Sequence, residues 1–332
     1  MKRMREHLVG LLLGGVAVAQ QQVELTGVPH EYQRLNNCGP TTTGMYLGYY
    51  GSALRQHQVA EALKPNPRDK NVTPQQVLEY VQQQGFQAKL GSGGNLGTLK
   101  NLVKRGIPVM VHTWMELPGE GGLGHFRLVT GYDETRRQFT TFDSYLGPRR
   151  VFSYGQFDQD WQVMNRTYLV VYPGQKAPWV EKTLGVRMDD RWVERNALRV
   201  ALREAKEQPD NPFAFFNLGS SLLKVNSPRA AVRAFDRAFS LGVPPRMLWY
   251  QFTPFQAHLQ AGQPGRVVEL TSRVLRAAPD HEEAYFWRAE ARLQQGKVTE
   301  ARADLRQALR FRPLFQEARE RLLALNVKSK RP

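Results

Sequence analysis

The second half of the chain repeats itself every 34 residues, and this constrains its fold more than any other feature. Gly262 and Gly296 are 34 residues apart, and so are Pro279 and Pro313. Alanine, leucine and arginine recur between them at helical spacing. A unit of this length cannot bury its apolar face alone, so successive helix pairs must stack on a shared core. We therefore expect a helical repeat array over residues 191–327.

This pattern resembles the tetratricopeptide repeat (TPR). Leu218-Gly219 matches the signature of its first helix, the two glycines match its inter-helix turn, and the two prolines match its end. The resemblance implies three units that start near Pro212, Leu248 and Glu282, a partial unit that ends at Pro209, and a capping helix over 314–325. It also implies a concave surface that binds peptides or protein partners. An unrelated helical bundle is the alternative.

The first half, residues 20–178, has a different composition and is rich in glycine. Thr73-Pro74 is typical of a helix start, because the threonine caps the helix and proline suits its first turn. Strand-like runs occupy 86–90, 108–112, 125–132, 138–142, 151–152 and 167–172. Helices followed by closely spaced strands predict an α+β domain with an antiparallel sheet. A linker is expected over residues 179–190.

The first 19 residues have the pattern of a secretory signal. Lys2, Arg3 and Arg5 precede an apolar run over 8–18, and Ala17-Val18-Ala19 has the small-x-small pattern of a cleavage site. The run is too short to span a bilayer, and no later segment is long and apolar enough to do so. We expect cleavage after Ala19 and a mature protein that is secreted, periplasmic or in the cell envelope.

The net charge is +16, and most of it lies in the second half. Residues 179–332 hold 27 basic and 17 acidic residues, which gives +10. The arginines are spread at helical intervals without a nucleic-acid motif, so nucleic acid is not the favoured partner. The glycine-rich stretch at 91–97 lacks the spacing of a dinucleotide loop and is interpreted as a turn. No metal-ligand spacing is present, so we predict neither a cofactor nor a metal.

Cys38 is the only cysteine, and it precedes a predicted helix. One thiol cannot form an internal disulfide or a zinc site that needs several thiolates. The unpaired amides and the dipole at a helix start favour a thiolate, which is the nucleophilic form of cysteine. The alternative is a small buried apolar residue, which is the usual role of a free cysteine.

A nucleophilic Cys38 needs a base, an orienting acid and an oxyanion donor. His125 is the best candidate base, because it follows a predicted glycine-rich loop over 118–124 and opens an apolar strand, unlike His30, His57 and His112. Asp143 ends the next strand, and hairpin pairing can bring the two side chains together. Gln33 lies five residues before Cys38 and could donate its amide to an oxyanion.

With these residues in place, the first half resembles a C39-type cysteine peptidase of the papain-like superfamily. The resemblance spans about residues 28–172 and includes Gln33, Cys38-Gly39-Pro40, Gly106-Ile107-Pro108-Val109, Gly124-His125, Gly131-Tyr132-Asp133 and Phe142-Asp143. It implies Cys38 as nucleophile, His125 as general base, Asp143 as orienting acid and Gln33 as oxyanion donor. Asn37 and Ser144 depart from the residues common in the family.

Three functions remain open from the sequence. The leading hypothesis is a secreted thiol peptidase that hydrolyses peptide amides through an acyl-enzyme, with the repeats binding substrate or a protein partner. The same acyl-enzyme could react with an amine, as in a transferase. The repeats could also serve a scaffold whose first domain is catalytically inert.

Overall fold

In the computed structural model, the first half of the chain is an antiparallel sheet with helices on both faces. The structure describes residues 21–64, 66, 69–119 and 121–328, so the expected signal at 1–19 lies outside the described residues. The helices are α1 (Cys38–Tyr49), α2 (Gln56–Leu63), α3 (Pro74–Gln83), α4 (Leu96–Val103), α5 (Tyr154–Gln162) and α6 (Ala177–Leu184). The strands are β1 (Gln22–Glu24), β2 (Gln87–Gly91), β3 (Val109–Leu117), β4 (Gly121–Asp133), β5 (Gln138–Asp143), β6 (Gly147–Ser153) and β7 (Tyr168–Tyr172).

The strand order is β2-β7-β3-β4-β5-β6, and β1 pairs with β4. Every pairing is antiparallel. The register places Arg127 opposite Asp143 on β4 and β5, and Thr113 opposite His125 on β3 and β4. The predicted α+β arrangement is confirmed, and its two central hairpins bring the candidate His and Asp to neighbouring positions.

Alternate residues of the central strands face two separate cores. On one face, Met110, Leu128 and Leu169 pack with apolar residues of α1, α2 and α3. On the other face, Val109, Val129 and Val170 pack with α4, α5 and α6. Successive side chains of a strand point to opposite sides. Because helices cover both sides of the sheet, both faces of these strands are buried. Helix α1 is thereby held firmly on the first face of the sheet.

The second half is helical, as predicted. Its helices are α7 (Asp190–Glu207), α8 (Pro212–Lys224), α9 (Pro228–Ser240), α10 (Thr253–Gln260), α11 (Pro264–Ala277), α12 (Glu282–Gln294), α13 (Val298–Phe311) and α14 (Gln316–Lys328). Residues 179–190 hold the end of α6 and a 3-10 helix, Gly185–Met188. None of the helices in the described part of the chain combines the length and hydrophobicity needed to cross a membrane.

The middle repeat differs from the prediction that it starts near Leu248. Leu248 lies in a 3-10 helix, Pro245–Trp249, and the first α-helix of this repeat begins only at Thr253. Pro244, Pro245 and Pro254 explain the difference, because proline lacks the N–H that continues a helix and is accepted only in a first turn. The resulting irregular segment contacts strand β4 of the first half.

The glycine-rich segment before His125 is not the loop that the sequence predicted. Residues from Gly121 onward belong to β4 and pair with β3. A Cβ on Gly122 would lie only 1.9 Å from Nε1 of the Trp114 ring, so the missing side chain makes room for the indole. Trp114 packs in a hydrophobic core with Met164, Phe216 and other residues from both halves of the chain.

Candidate active site

Cys38 is the first residue of α1, so its thiol lies at the helix N-terminus. Pro40 follows within the first turn, where its missing N–H costs no helical hydrogen bond. The helix start is held against β4, since the Thr42 hydroxyl donates to the Phe126 carbonyl at 3.3 Å. Residue 126 is next to His125, and the packing of α1 on the sheet therefore brings Cys38 to that histidine.

His125 and Asp143 are both fully buried and directly bonded. His125 Nε2 lies 2.9 Å from Asp143 Oδ1. Because the carboxylate accepts the Nε2 proton, Nδ1 is the ring nitrogen left to face the sulfur. Nδ1 is buried and has no hydrogen-bond partner among the described residues. The structure thus brings Cys38, His125 and Asp143 together in the order that a cysteine hydrolase uses.

The electrostatics of these three groups favour an ion pair. Burial raises the pKa of Cys38, but contact with His125, the charge of that ring and the backbone N–H groups of Phe126 and Gly39 lower it below its ordinary value. Burial lowers the pKa of His125, but the charge and hydrogen bond of Asp143 raise it to about 9. A thiolate beside an imidazolium is the reactive state of a catalytic cysteine.

Arg127 holds the other oxygen of Asp143, and the sequence interpretation missed it. Its Nε lies 3.0 Å from Asp143 Oδ2, and its Nη1 reaches Asp160 Oδ2 at 3.1 Å. Asp143 Oδ1 also accepts the backbone N–H groups of Tyr145 and Leu146, at 2.8 and 2.9 Å. The sequence did contain a signal, because an arginine two residues after His125 on a predicted strand must lie on the same face as the histidine.

Gln33 lies beside the strand end that carries Asp143. The Ser144 hydroxyl donates to Gln33 Oε1 at 2.7 Å, and Gln33 N donates to the Ser144 carbonyl at 2.9 Å. Because Ser144 donates to Oε1, the N–H groups of the Gln33 amide point away from Ser144. Ser144, noted as a departure from the family pattern, is fully buried and fixes this orientation.

Gln56 organises the loop that leads to Cys38, a role that the sequence did not indicate. Its Oε1 accepts from Arg34 N at 2.8 Å, and at longer distance from the side chains of Asn37 and Thr41. Its Nε2 donates to Glu31 and to the backbone carbonyl of residue 32. One buried amide at the start of α2 therefore fixes the segment between Gln33 and the cysteine.

The other three histidines of the first half occupy structural positions. His30 donates from Nε2 to the backbone carbonyl of Asp143 at 3.0 Å, so it supports the strand end. His112 stacks on Phe126 with ring centroids 4.5 Å apart, and burial lowers its pKa to about 3. His57 is exposed on α2.

Family models account for much of the chain. Residues 22–169 match the Peptidase_C39 like family, and residues 255–314 match the tetratricopeptide repeat. The chain joins a C39-like peptidase domain to tetratricopeptide repeats. Both resemblances noted in the sequence are confirmed by these matches, and the fold has the sheet, helices and helical repeats that they imply.

Several solved structures are similar to parts of the chain. A protein from Bacillus anthracis described as a C39-like peptidase is 18% identical, with a TM-score of 0.37, and the match covers 46% of this chain and 98% of that one. The peptidase domain of Streptococcus ComA is 19% identical, with a TM-score of 0.36, over 43% and 96%. MamA from Desulfovibrio magneticus RS-1 is 20% identical, with a TM-score of 0.38, over 47% and 86%.

No curated protein matches the chain significantly.

One residue of the TPR region reaches the site of the C39-like domain. Tyr250 follows the irregular 3-10 helix of the middle repeat and lies over Gly124, where a Cβ would come within 2.9 Å of its ring. Burial raises the pKa of its hydroxyl, and the negative charge of Cys38 raises it further. The space that the glycine leaves beside His125 is thus filled by the chain's own tyrosine, which forms one wall of the site.

Proposed function

We propose that the protein is a cysteine peptidase in which Cys38, His125 and Asp143 hydrolyse peptide amide bonds. The observation that carries the proposal is the bond of 2.9 Å between His125 Nε2 and Asp143 Oδ1, which leaves Nδ1 for the Cys38 sulfur. Shifts in pKa that arise from burial together with a specific charge partner cluster at functional sites, and Cys38 and His125 both have such shifts. The family match of the domain supports the same assignment.

In the acylation step, the Cys38 thiolate attacks the carbonyl carbon of the scissile amide. The carbonyl oxygen becomes an oxyanion that accepts hydrogen bonds from the Cys38 N–H at the helix start and the Gln33 amide. His125 then gives its Nδ1 proton to the leaving nitrogen, the C–N bond breaks, and the amine departs. The product is a thioester between Cys38 and the acyl half of the substrate.

In the deacylation step, neutral His125 takes a proton from water at Nδ1, and the resulting hydroxide attacks the thioester. The C–S bond breaks, the carboxylic acid leaves, and the thiolate–imidazolium pair is restored. Asp143 keeps its negative charge throughout and holds the ring in one tautomer and orientation. Arg127 and the backbone N–H groups of the 145–146 turn keep that carboxylate in place.

The proposal is tested by incubating the purified full chain with a peptide mixture and identifying products by mass spectrometry. Wild-type protein should generate new carboxyl and amino termini, and Cys38→Ala should generate none. The matched control is Thr43→Ala, which alters α1 one turn beyond the cysteine without touching the pair. Products that persist in Cys38→Ala would contradict the assignment.

The same assay separates hydrolysis from transfer. An added primary amine competes with water for the thioester, so a transferase would convert the acyl half of the substrate into an amide of that amine. A peptidase gives the free acid as the main product even with the amine present. If the amide is the main product, the protein is a transferase that uses the same Cys38, His125 and Asp143.

We further propose that the TPR region binds the substrate protein or a partner, and that the enzyme acts outside the cytoplasm. The repeat match supports the first proposal, and the signal-like pattern of residues 1–19 supports the second. A pull-down with the isogenic Cys38→Ala protein as bait tests the first. Amino-terminal sequencing of the extracytoplasmic protein tests the second, and a terminus at Gln20 is the expected result.

A further inference from the structure

Three carboxylates from opposite ends of the sequence meet in the interior, between the C39-like domain and the TPR region. Asp69 precedes α3, whereas Glu282 and Glu283 open α12. One oxygen of each lies within 4.8 Å of those of the other two, and the three residues are 1%, 1% and 5% exposed. Burial of a charged carboxylate is costly unless a proton, a cation or hydrogen bonds compensate it.

Hydrogen bonds within the described part of the chain compensate this cluster only in part. Asp69 Oδ2, Glu282 Oε1 and Glu283 Oε2 are buried and have no hydrogen-bond partner among the described residues. Burial raises the pKa of Asp69, and burial together with the neighbouring carboxylates raises those of Glu282 and Glu283. The protein thus maintains three acidic groups close together at a substantial cost.

A fourth oxygen lies on the side chain next to the cluster. Asn71 is 6% exposed, its side-chain amide donates a hydrogen bond to Glu283 and lowers the pKa of that residue, and its Oδ1 is buried without a partner among the described residues. The backbone N–H of Asn71 bonds Asp69 Oδ1 at 3.1 Å, and its Nδ2 donates to the Trp249 carbonyl at 2.8 Å. An unpartnered amide oxygen beside three carboxylates adds a neutral ligand of the kind that hard cations use.

Two positive side chains, Arg312 and Lys64, lower the pKa of Asp69, but among the described residues no side chain donates a hydrogen bond to the three unpartnered carboxylate oxygens. Arg312 Nη1 lies 3.8 Å from Glu283 Oε1, which is not the unpartnered oxygen. Lys64 donates to the backbone carbonyls of residues 35, 36 and 69, and Lys70 pairs with Asp280 at 2.9 Å. His281 Nδ1 is 3.3 Å from Glu283 Oε2 but accepts the N–H of residue 284, so it has no proton to give there.

We propose that Asp69, Asn71, Glu282 and Glu283 bind one hard divalent cation, with calcium as the ion that fits best. An all-oxygen set of three carboxylates and one amide is typical of Ca²⁺ and Mg²⁺ and unlike the nitrogen and sulfur sets of zinc. Ca²⁺ accepts oxygens at about 2.4 Å, so ligands on opposite sides are about 4.8 Å apart. Mg²⁺ requires shorter metal–oxygen distances and a nearly ideal octahedral geometry, so it fits this spacing less well.

Such an ion would join the two domains and support the site of the C39-like domain. Asp69 and Asn71 come from one domain, and the two glutamates come from the other. Lys64 connects the backbone of Asp69 to the carbonyls of Leu35 and Asn36, which lie between Gln33 and Cys38. Asn71 also anchors Trp249, the neighbour of Tyr250. Binding would therefore fix the loop before the nucleophile and the tyrosine wall together.

The test is a titration of the EDTA-treated, extensively dialysed full chain with CaCl₂. Calorimetry should give one ion per chain, and Tm should rise by roughly 5 °C when Ca²⁺ is at a hundredfold excess over Kd. MgCl₂ should raise Tm only at a higher concentration than CaCl₂ does. Cys38→Ala should bind calcium as the wild type does, so failure of the proposed peptidase activity would not affect this result.

The double variant Glu282→Gln/Glu283→Gln should lose the calcium response, because two neutral amides replace two of the three charges. The matched control is Glu290→Gln on the same helix, whose carboxylate pairs with Arg321 at the molecular surface; it should respond as the wild type does. If the double variant does not fold, Asp69→Asn serves the same purpose.

A wild-type chain that binds neither Ca²⁺ nor Mg²⁺ and shows no shift in Tm would overturn the site. The carboxyls would then hold protons instead. An unchanged calcium response in the double variant or in Asp69→Asn would overturn it equally.

Discussion

Arg127 and Asp143 face each other across β4 and β5, and their side chains bond at 3.0 Å between Nε and Oδ2. Because His125 takes the other carboxylate oxygen, one acid is held from two sides by residues two positions apart on the same strand. The orientation of the His125 ring is therefore set by the strand register, and the His125–Asp143 pair is part of the domain's buried core.

The first prediction concerns the stability that this arrangement supplies. Arg127→Met should reduce the free energy of unfolding by about 3–5 kcal/mol, since it leaves Asp143 buried with one charge partner fewer. Urea unfolding measures the change. Arg149→Met is the control, because Arg149 pairs with Glu24 at the surface and should change stability by less than about 1 kcal/mol. Equal effects of the two variants would contradict the structural role of Arg127.

The second prediction is the pH dependence of peptide hydrolysis. Activity should rise with pH as Cys38 loses its proton below its ordinary pKa of 9.0, and it should fall as His125 loses its proton near its pKa of about 9. Because the Cys38 thiol and the His125 ring interact, the two apparent pKa values of the pH profile belong to the pair and not to either residue alone. In Asp143→Asn the carboxylate that raises the pKa of His125 is gone, so the alkaline limb should move to lower pH. An unmoved alkaline limb would show that Asp143 does not act on His125.

The third prediction concerns the oxyanion donor. Gln33→Ala should lower kcat by about 10²–10³ with a small change in KM, as expected for a donor that acts in the transition state. Ser144→Ala should lower kcat less, because it frees the Gln33 amide to rotate without removing it. Steady-state kinetics on one peptide compare the two variants. A loss in Ser144→Ala that exceeds the loss in Gln33→Ala would rule out this division of roles.

The fourth prediction concerns the wall that the TPR region contributes. Tyr250→Ala should open the space over Gly124 and allow larger residues next to the cleaved bond, because the tyrosine ring fills that space. Profiling of cleavage products by mass spectrometry measures the change. Tyr285→Ala, on α12, should leave the profile unaltered. An unchanged profile in Tyr250→Ala would place substrate on another side of the site.

Much of the fold follows from local sequence patterns, and the site follows from the chain order of a few residues. Thr73-Pro74 begins a helix as predicted, because capping chemistry acts within one turn. The strand that carries His125 and the strand that ends at Asp143 were located because period-two patterns report burial on the sheet. His125 and Asp143 meet because hairpin neighbours are close both in sequence and in space.

The parts that the sequence did not indicate depend on contacts between distant residues. Tyr250 reaches Gly124 from the end of the irregular 3-10 helix in the middle repeat, and no spacing within the chain reports that contact. Asp69 and Glu282 are separated by more than two hundred positions, so a search for metal-ligand spacing could not join them. The glycine-rich segment was predicted to be a loop. It is a strand because its pairing with β3 depends on how Trp114 packs, which the sequence does not show.

The most direct test of the central claim is the rate at which iodoacetamide alkylates Cys38 as a function of pH. The chain has one cysteine, so mass spectrometry of the intact protein reports this thiol alone. We predict rapid labelling well below pH 9.0, the ordinary pKa of the thiol, and loss of the low-pH reaction in His125→Ala. Slow labelling that rises only near the ordinary pKa, and is the same in both proteins, would contradict a thiolate held by His125.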